Sequence, residues 1–268
     1  MLADYHTHFN CSEDSDTLPE LQVKAALDCG LDALCLTDHV DTANRAGVAG
    51  PEVYDWTEIR RVHKELCEKF GHRLELPLGA ELGMAHLDLA MADRYLDAAP
   101  ELDFVIASQH HVSARCGGID LWDYTFPAEE IDTMLEDYFE DLLKIARWGR
   151  FSVLGHLTLP VRYMLRNGLP APDWTRCQDR IDAVLRCLAE SGLGMECNTA
   201  RGGSPRMPEG DILRRYRELG GEIITLGSDV HGPAHIGCGI RENQLLLKEC
   251  GFKRFCTFEK MEPIWHEL

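Results

Sequence analysis

The chain begins MLADYHTHFN, and His6 and His8 are the first residues in it that could do chemistry. In an extended strand, positions i and i+2 share a face, so the two imidazoles would stand side by side. Taken alone, the pair reads as a polar chain end. Residues further along the chain give it more weight: TDH at 37–39, Glu81 in GAELG, His110 and His111 in ASQHH, His156 in LGHL, Glu196 and Asn198 in MECN, and Asp229 and His231 in GSDVH. Six short apolar runs end in such a residue, and a seventh carries Glu196 and Asn198 within it. Imidazole and carboxylate without thiolate suit zinc, iron or manganese, and a carboxylate can bridge two ions. A lone histidine at a strand end is more often a satisfied polar residue, but seven coincidences at one relative position point to a metal site.

The runs that must position these groups are ADYHTHF, DALCLTDHV, ELPLGAELG, FVIASQHH, SVLGHLTL, GMECNTA and EIITLGSDVH. Longer stretches with helical spacing separate them. PELQVKAALDCG carries Leu21, Ala25 and Leu27 at helical offsets, and DWTEIRRVHKELCEKFG sets Ile59, Val62, Leu66 and Phe70 on one stripe; both stop at glycine. EIDTMLEDYFEDLLKIARWG, CQDRIDAVLRCLAESG and EGDILRRYRELGG repeat the plan. Strand and helix alternating without a linker imply a parallel sheet with helices outside. Seven such units predict a closed α/β barrel, (β/α)7 of the TIM type, spanning 1–268 as a single domain, with an open doubly wound sheet as the alternative. In a parallel barrel all strand C-termini open on one face, where an active site belongs.

A net charge of −18, from 45 acidic and 27 basic residues, disfavours nucleic acid and anionic membranes as partners. An anionic substrate stays open if metal ions reverse the local field. No stretch has the length and apolarity of a membrane span, and no signal peptide is read at the N-terminus. The eleven cysteines form no C-x-x-C pair, which argues against a zinc ribbon or thioredoxin-type motif. Their scatter through apolar stretches predicts reduced thiols in a cytoplasm.

The ordered set HTH at 6–8, TDH at 37–39, GAE at 79–81, SQH at 108–110, GH at 155–156, ECN at 196–198 and SDVH at 228–231 resembles the polymerase and histidinol phosphatase superfamily of metal-dependent phosphoesterases. The resemblance implies a distorted seven-stranded barrel holding two or three divalent transition-metal ions (Zn, Fe or Mn). It assigns His6, His8, Glu81 and Asp229 to one ion. Glu81 would bridge to a second, completed by His110 and His156. Asp14, His39 and His231 would hold a third, and the segment SEDSD also offers Glu13 and Asp16 there. His110 is preferred to His111 because the family pattern is S-x-H.

What the resemblance implies is hydrolysis of a small phosphate monoester, L-histidinol phosphate before other phosphorylated metabolites. A metal-bound hydroxide would be the nucleophile, and no protein nucleophile is needed. Asp38 is either a carboxylate orienting an imidazole or the cap of the turn after the second run. Arginine suits phosphate, and Arg45, Arg115, Arg162, Arg166, Arg201 and Arg206 fall after strand ends. Arg162 fits one phosphate contact and Arg201 or Arg206 a second, while Arg45 and Arg166 read as solvent-facing. A metal-dependent amidohydrolase is the alternative enzyme, but no lysine stands at a strand end to bridge metals. A non-catalytic accessory module would show missing ligands.

Overall fold

The computed structural model describes residues 1–199 and 204–268. Along it run β1 (Ala3–Asp4), α1 (Pro19–Cys29), β2 (Ala33–Leu34), α2 (Thr57–Phe70), β3 (Gly79–Gly83), α3 (Leu89–Asp97), β4 (Phe104–Ser108) and α4 (Ile131–Trp148). Next come β5 (Val153–Leu154), α5 (Pro160–Arg166), α6 (Gln178–Ser191), β6 (Gly194–Asn198), α7 (Gly210–Glu218), β7 (Ile224–Gly227), α8 (Ile240–Glu249), β8 (Arg254–Glu259) and β9 (Glu262–Glu267).

Strands β3 to β7 pair in chain order, all parallel, and β1 pairs β2 in parallel. Parallel bridges at Ala33–Glu75, Leu36–Leu78 and His39–Glu81 join the β2 and β3 segments, and one at Thr7–Val230 joins the chain after β1 to that after β7. Tyr5 N–H donates to Leu226 O at 2.9 Å, Asp229 N–H to His6 O at 2.7 Å and His8 N–H to Val230 O at 2.9 Å. The ring therefore closes as a distorted seven-stranded parallel barrel, and the open sheet is excluded.

The distortion lies where the polar residues are. β1, β2 and β5 keep only two ladder residues each, because the chain leaves regular pairing where the strand ends turn toward the site. His156 and Asp229 adopt φ of 24° and 55°. Such backbone costs a non-glycine residue roughly 1–3 kcal/mol and persists only where its surroundings hold it. Here the Glu196 carboxylate takes the His156 N–H at 2.7 Å, and His6 O takes that of Asp229.

Inside the barrel, Tyr5, Cys35, Phe104, Ile106 and Val153 pack with Cys256 and Phe258 of β8. The antiparallel β8–β9 hairpin thus plugs the end where the strands begin, opposite the polar ends. Its turn residues Lys260 and Met261 both have positive φ (49° and 67°). Asn-Gly normally marks that geometry, so Lys-Met carries no hairpin signal. Helices α3, α5 and α8, of 9, 7 and 10 residues, lie outside the predicted helical stretches. On α2 the expected stripe Ile59, Val62, Leu66 and Phe70 is buried. On α1 the buried face is Gln22, Val23 and Ala26, and Leu21 is exposed. The expected Leu21, Ala25 and Leu27 face is displaced because Gln22 turns inward and donates to His8 O under the HTH segment. All eleven cysteines are free, and among the described residues no helix is long and apolar enough to cross a membrane.

Candidate metal centre

Barrel closure brings the ends of the first, third and seventh strands together. His6 Nε2 and His8 Nε2 lie 3.1 Å apart, and both face Glu81 Oε2, at 3.3 and 3.4 Å. Asp229 Oδ1 stands 3.8 and 3.5 Å from the same two nitrogens. The other oxygen of Glu81 turns to the fourth and fifth strands. Its Oε1 is 2.8 Å from His156 Nε2 and 3.2 Å from His110 Nε2, and those two nitrogens are 3.3 Å apart. Of the neighbours His110 and His111, only His110 joins this group.

These spacings test whether metal ions fit. Donors about 2.1 Å from one tetrahedral ion stand about 3.4 Å from one another. Both groups match that spacing. Glu81 Oε2 is buried and surrounded by three ring nitrogens, yet it accepts no hydrogen bond from a described residue. A buried carboxylate oxygen left so is costly, and a cation is what satisfies it.

The Asp14 group is looser. Asp14 Oδ2 is 3.0 Å from His231 Nε2 and Oδ1 is 3.6 Å from His39 Nε2, while the Asp14 side chain is 49% exposed. His39 turns its Nδ1 to Glu81 Oε2 at 3.0 Å, and the His8 ring stacks on those of His39 and His231. A compact histidine set therefore includes His8 beside His39 and His231, and another joins His39 and His110 with Asp41. Asp41 escapes sequence reasoning because it stands two residues past the TDH segment, whose own carboxylate is Asp38.

Electrostatics keep the two buried carboxylates of the cluster anionic. Burial opposes ionisation of Glu81, but His6, His110 and His39 hold its pKa well below the usual carboxylate range. Burial likewise opposes charge on Asp229, and Arg162 and His6 hold it down. Burial, with His231 and His39 close by, pushes the His8 pKa well down and keeps that ring neutral.

A second layer fixes the imidazoles. His6 Nδ1–H donates to Glu196 Oε1 at 2.6 Å, which leaves the Nε2 lone pair aimed at the cluster. Asp38 does not touch the ring of adjacent His39. It accepts from Phe9 N–H and Ser12 Oγ–H, both at 2.7 Å, and Ser12 Oγ lies 3.2 Å from His8 Nδ1. Asp38 thus reaches His8 through Ser12, a residue without a sequence signal. Ser108, the serine of SQH, donates to Glu81 Oε1 at 2.6 Å. Glu196→Ala should weaken metal affinity about 10- to 100-fold by freeing the His6 ring. A competition titration against a chelator reads this; unchanged affinity would show that packing alone orients His6.

The arginines separate by position. Arg162 lies on α5, not in a loop, and its Nη1 donates to Asp229 Oδ2 at 2.7 Å. Its Nη2 is 3.5 Å from Asn198 Oδ1, and its buried Nε has no hydrogen-bond partner among the described residues. Arg206 donates its Nε to Asn243 of α8 instead of toward the histidines. Arg201 lies outside the described residues. Arg45 pairs with Asp123, Arg115 with Asp137, and Arg166 stacks 3.9 Å from the Trp122 ring centre.

The PHP domain pattern matches residues 4–200 of this chain. The chain is 29% identical over 271 residues to a histidinol-phosphatase of Lactococcus lactis subsp. lactis, covering 97% of this chain and 95% of that one. It is 30% identical over 282 residues to a probable histidinol-phosphatase of Deinococcus radiodurans, covering 98% and 99%. Among solved structures, the histidinol phosphate phosphatase of Lactococcus lactis complexed with zinc, L-histidinol and phosphate superposes with a TM-score of 0.83 at 26% identity, over 98% of each chain.

Proposed function

The chain belongs to the PHP domain family, and from that premise we propose that it hydrolyses L-histidinol phosphate to L-histidinol and phosphate with the help of bound metal. One observation carries the reading: Glu81 divides its two oxygens between two histidine groups, as a carboxylate shared by two ions must. The names of the relatives and the ligands of the Lactococcus structure support the substrate.

His6, His8, Glu81 and Asp229 would hold one ion, Glu81, His110 and His156 a second, and Asp14, His39 and His231 a third. Zinc is supported by the neighbour's complex, and the same donors accept iron or manganese. When bound, such ions lower the pKa of a coordinated water and neutralise charge on the transferring phosphoryl group. The chain's own residues do the rest. Glu196 and Ser12 hold His6 and His8 in the tautomer that offers Nε2, and Arg162 has beside Asp229 a buried Nε, unpaired among the described residues, for a phosphate oxygen. Arg201 is left as the candidate for a second contact, since the Arg206 Nε is engaged by Asn243. The partner is a small phosphorylated molecule, with nucleic acid repelled by the net charge of −18. Eleven free cysteines support a reducing cytoplasm.

Phosphate release from a panel of monoesters, with metal analysis of the same sample, tests the reading. The expected result is fastest release from L-histidinol phosphate with at least two metal equivalents. Turnover of p-nitrophenyl phosphate with histidinol phosphate untouched would leave a phosphatase and remove the substrate. Activity retained with less than one equivalent would remove the metal mechanism.

Arg162→Ala should lower kcat/KM roughly 10- to 150-fold on both histidinol phosphate and p-nitrophenyl phosphate, the loss of a charge-assisted hydrogen bond to the group they share. Because Arg162 also holds Asp229, metal content must be read alongside. A variant that matches wild type on both substrates would make Arg162 only a partner of Asp229.

A further inference from the structure

The substrate proposed above carries an ammonium on the carbon next to the ester-bearing CH2. Four covalent bonds separate that nitrogen from phosphorus, so the two lie within about 5 Å of each other. A phosphate held at the Glu81 cluster therefore brings a cation to the wall of the same cavity. Removing that cation from water needs a carboxylate there whose oxygens are not already spent.

Most acids around the cluster are spent. Asp229 faces His6 and His8 with one oxygen and takes Arg162 with the other. Asp14 divides its oxygens between His39 and His231. Glu196 serves His6, the His156 N–H and Asn198. Asp38 takes Phe9 N–H and Ser12, and Asp4 takes Ser228 and Gly237.

Asp41 differs. No hydrogen bond to its carboxylate comes from any described residue, and its buried Oδ1 is without a partner. The approach of His39 Nδ1, at 3.8 Å, is too long for one. The side chain still keeps 30% of its exposure, so the group is reachable. It lies in the loop after β2, grouped with His39 and His110 at the edge of the cluster. The β3 backbone makes room for it at Gly83, where a Cβ would collide with Asp41 Oδ1 and come 3.2 Å from His110 Nδ1.

We propose that Asp41 accepts the ammonium group of an amino-alcohol phosphate and so selects aminated over plain phosphate monoesters. The inference rests on the histidinol phosphate reading. Its test compares L-histidinol phosphate with the same molecule lacking the amine, 3-(imidazol-4-yl)propyl phosphate, on metal-loaded wild type and Asp41→Asn, with metal content measured on both. Wild type should prefer the aminated substrate, and the variant should lower the ratio of the two kcat/KM values roughly 10- to 100-fold at unchanged metal content. Equal losses on both substrates, or loss of metal, would overturn the inference and make Asp41 a support for His39 or His110. An unchanged ratio, or a wild type indifferent to the amine, would also overturn it. A wild type inactive on both would remove the substrate reading, and the inference with it.

Discussion

Glu81→Ala is expected to lower kcat by at least about 10³-fold and to strip the protein of metal, a greater loss than any single histidine substitution gives. The reason is positional. His156→Ala removes one donor from one group, whereas Glu81 serves the His6–His8 group through Oε2 and the His110–His156 group through Oε1. The substitution removes a negative charge from both, leaving the His6–His8 pair, 3.1 Å apart, with Asp229 alone and the His110–His156 pair, 3.3 Å apart, without the carboxylate they share. Ser108 also loses its acceptor. Metal per chain and phosphate release, read on Glu81→Ala and His156→Ala together, check the expectation. A Glu81 variant that kept two metal equivalents, or lost no more than His156→Ala, would show that the carboxylate is not shared.

Chelation should abolish activity and lower the melting temperature, and readdition of zinc or manganese should restore both. An ion that binds the folded chain at 1,000 times its Kd stabilises it by about 4 kcal/mol. For a chain of this size that corresponds to a shift of roughly 10 °C. The sign follows from the site. Without a cation, Glu81 Oε2 is buried and accepts no hydrogen bond from a described residue, so the metal-free fold carries a cost that the ion removes. Melting curves with and without chelator measure it. An identical melting temperature together with undiminished turnover would remove metal from both the fold's stability and the reaction.

The candidate donors were legible in the sequence because they are chemically distinctive and their positions are local. His6, His8, His39, Glu81, His110, His156, Asp229 and His231 each end a short apolar run. Strand–helix alternation is enough to put all such ends on one face of a parallel barrel. The number of strands and their common direction followed from the same local pattern. Seven unlinked units also favoured closure over an open sheet, and contacts such as Thr7–Val230 between distant segments make that closure. The hairpin escaped, since Lys260 and Met261 occupy a turn that usually announces itself with glycine.

What only the tertiary structure decided is which side chain faces which. A strand end fixes where a residue lies but not where its polar atoms point, and hydrogen-bond geometry acts over about 3 Å. Hence Asp38 reads from sequence as a neighbour of His39 yet acts through Ser12 on His8. Arg162 and Arg206 read as equivalent phosphate binders, yet one lies against Asp229 and the other against Asn243. Asp41 carries no motif at all, and its unspent carboxylate becomes visible only when the partners of the acids around Glu81 are traced. Composition and periodicity pointed to the candidate donors and to the barrel; the pairing of each atom was set by packing between segments distant in the chain, which no local pattern encodes.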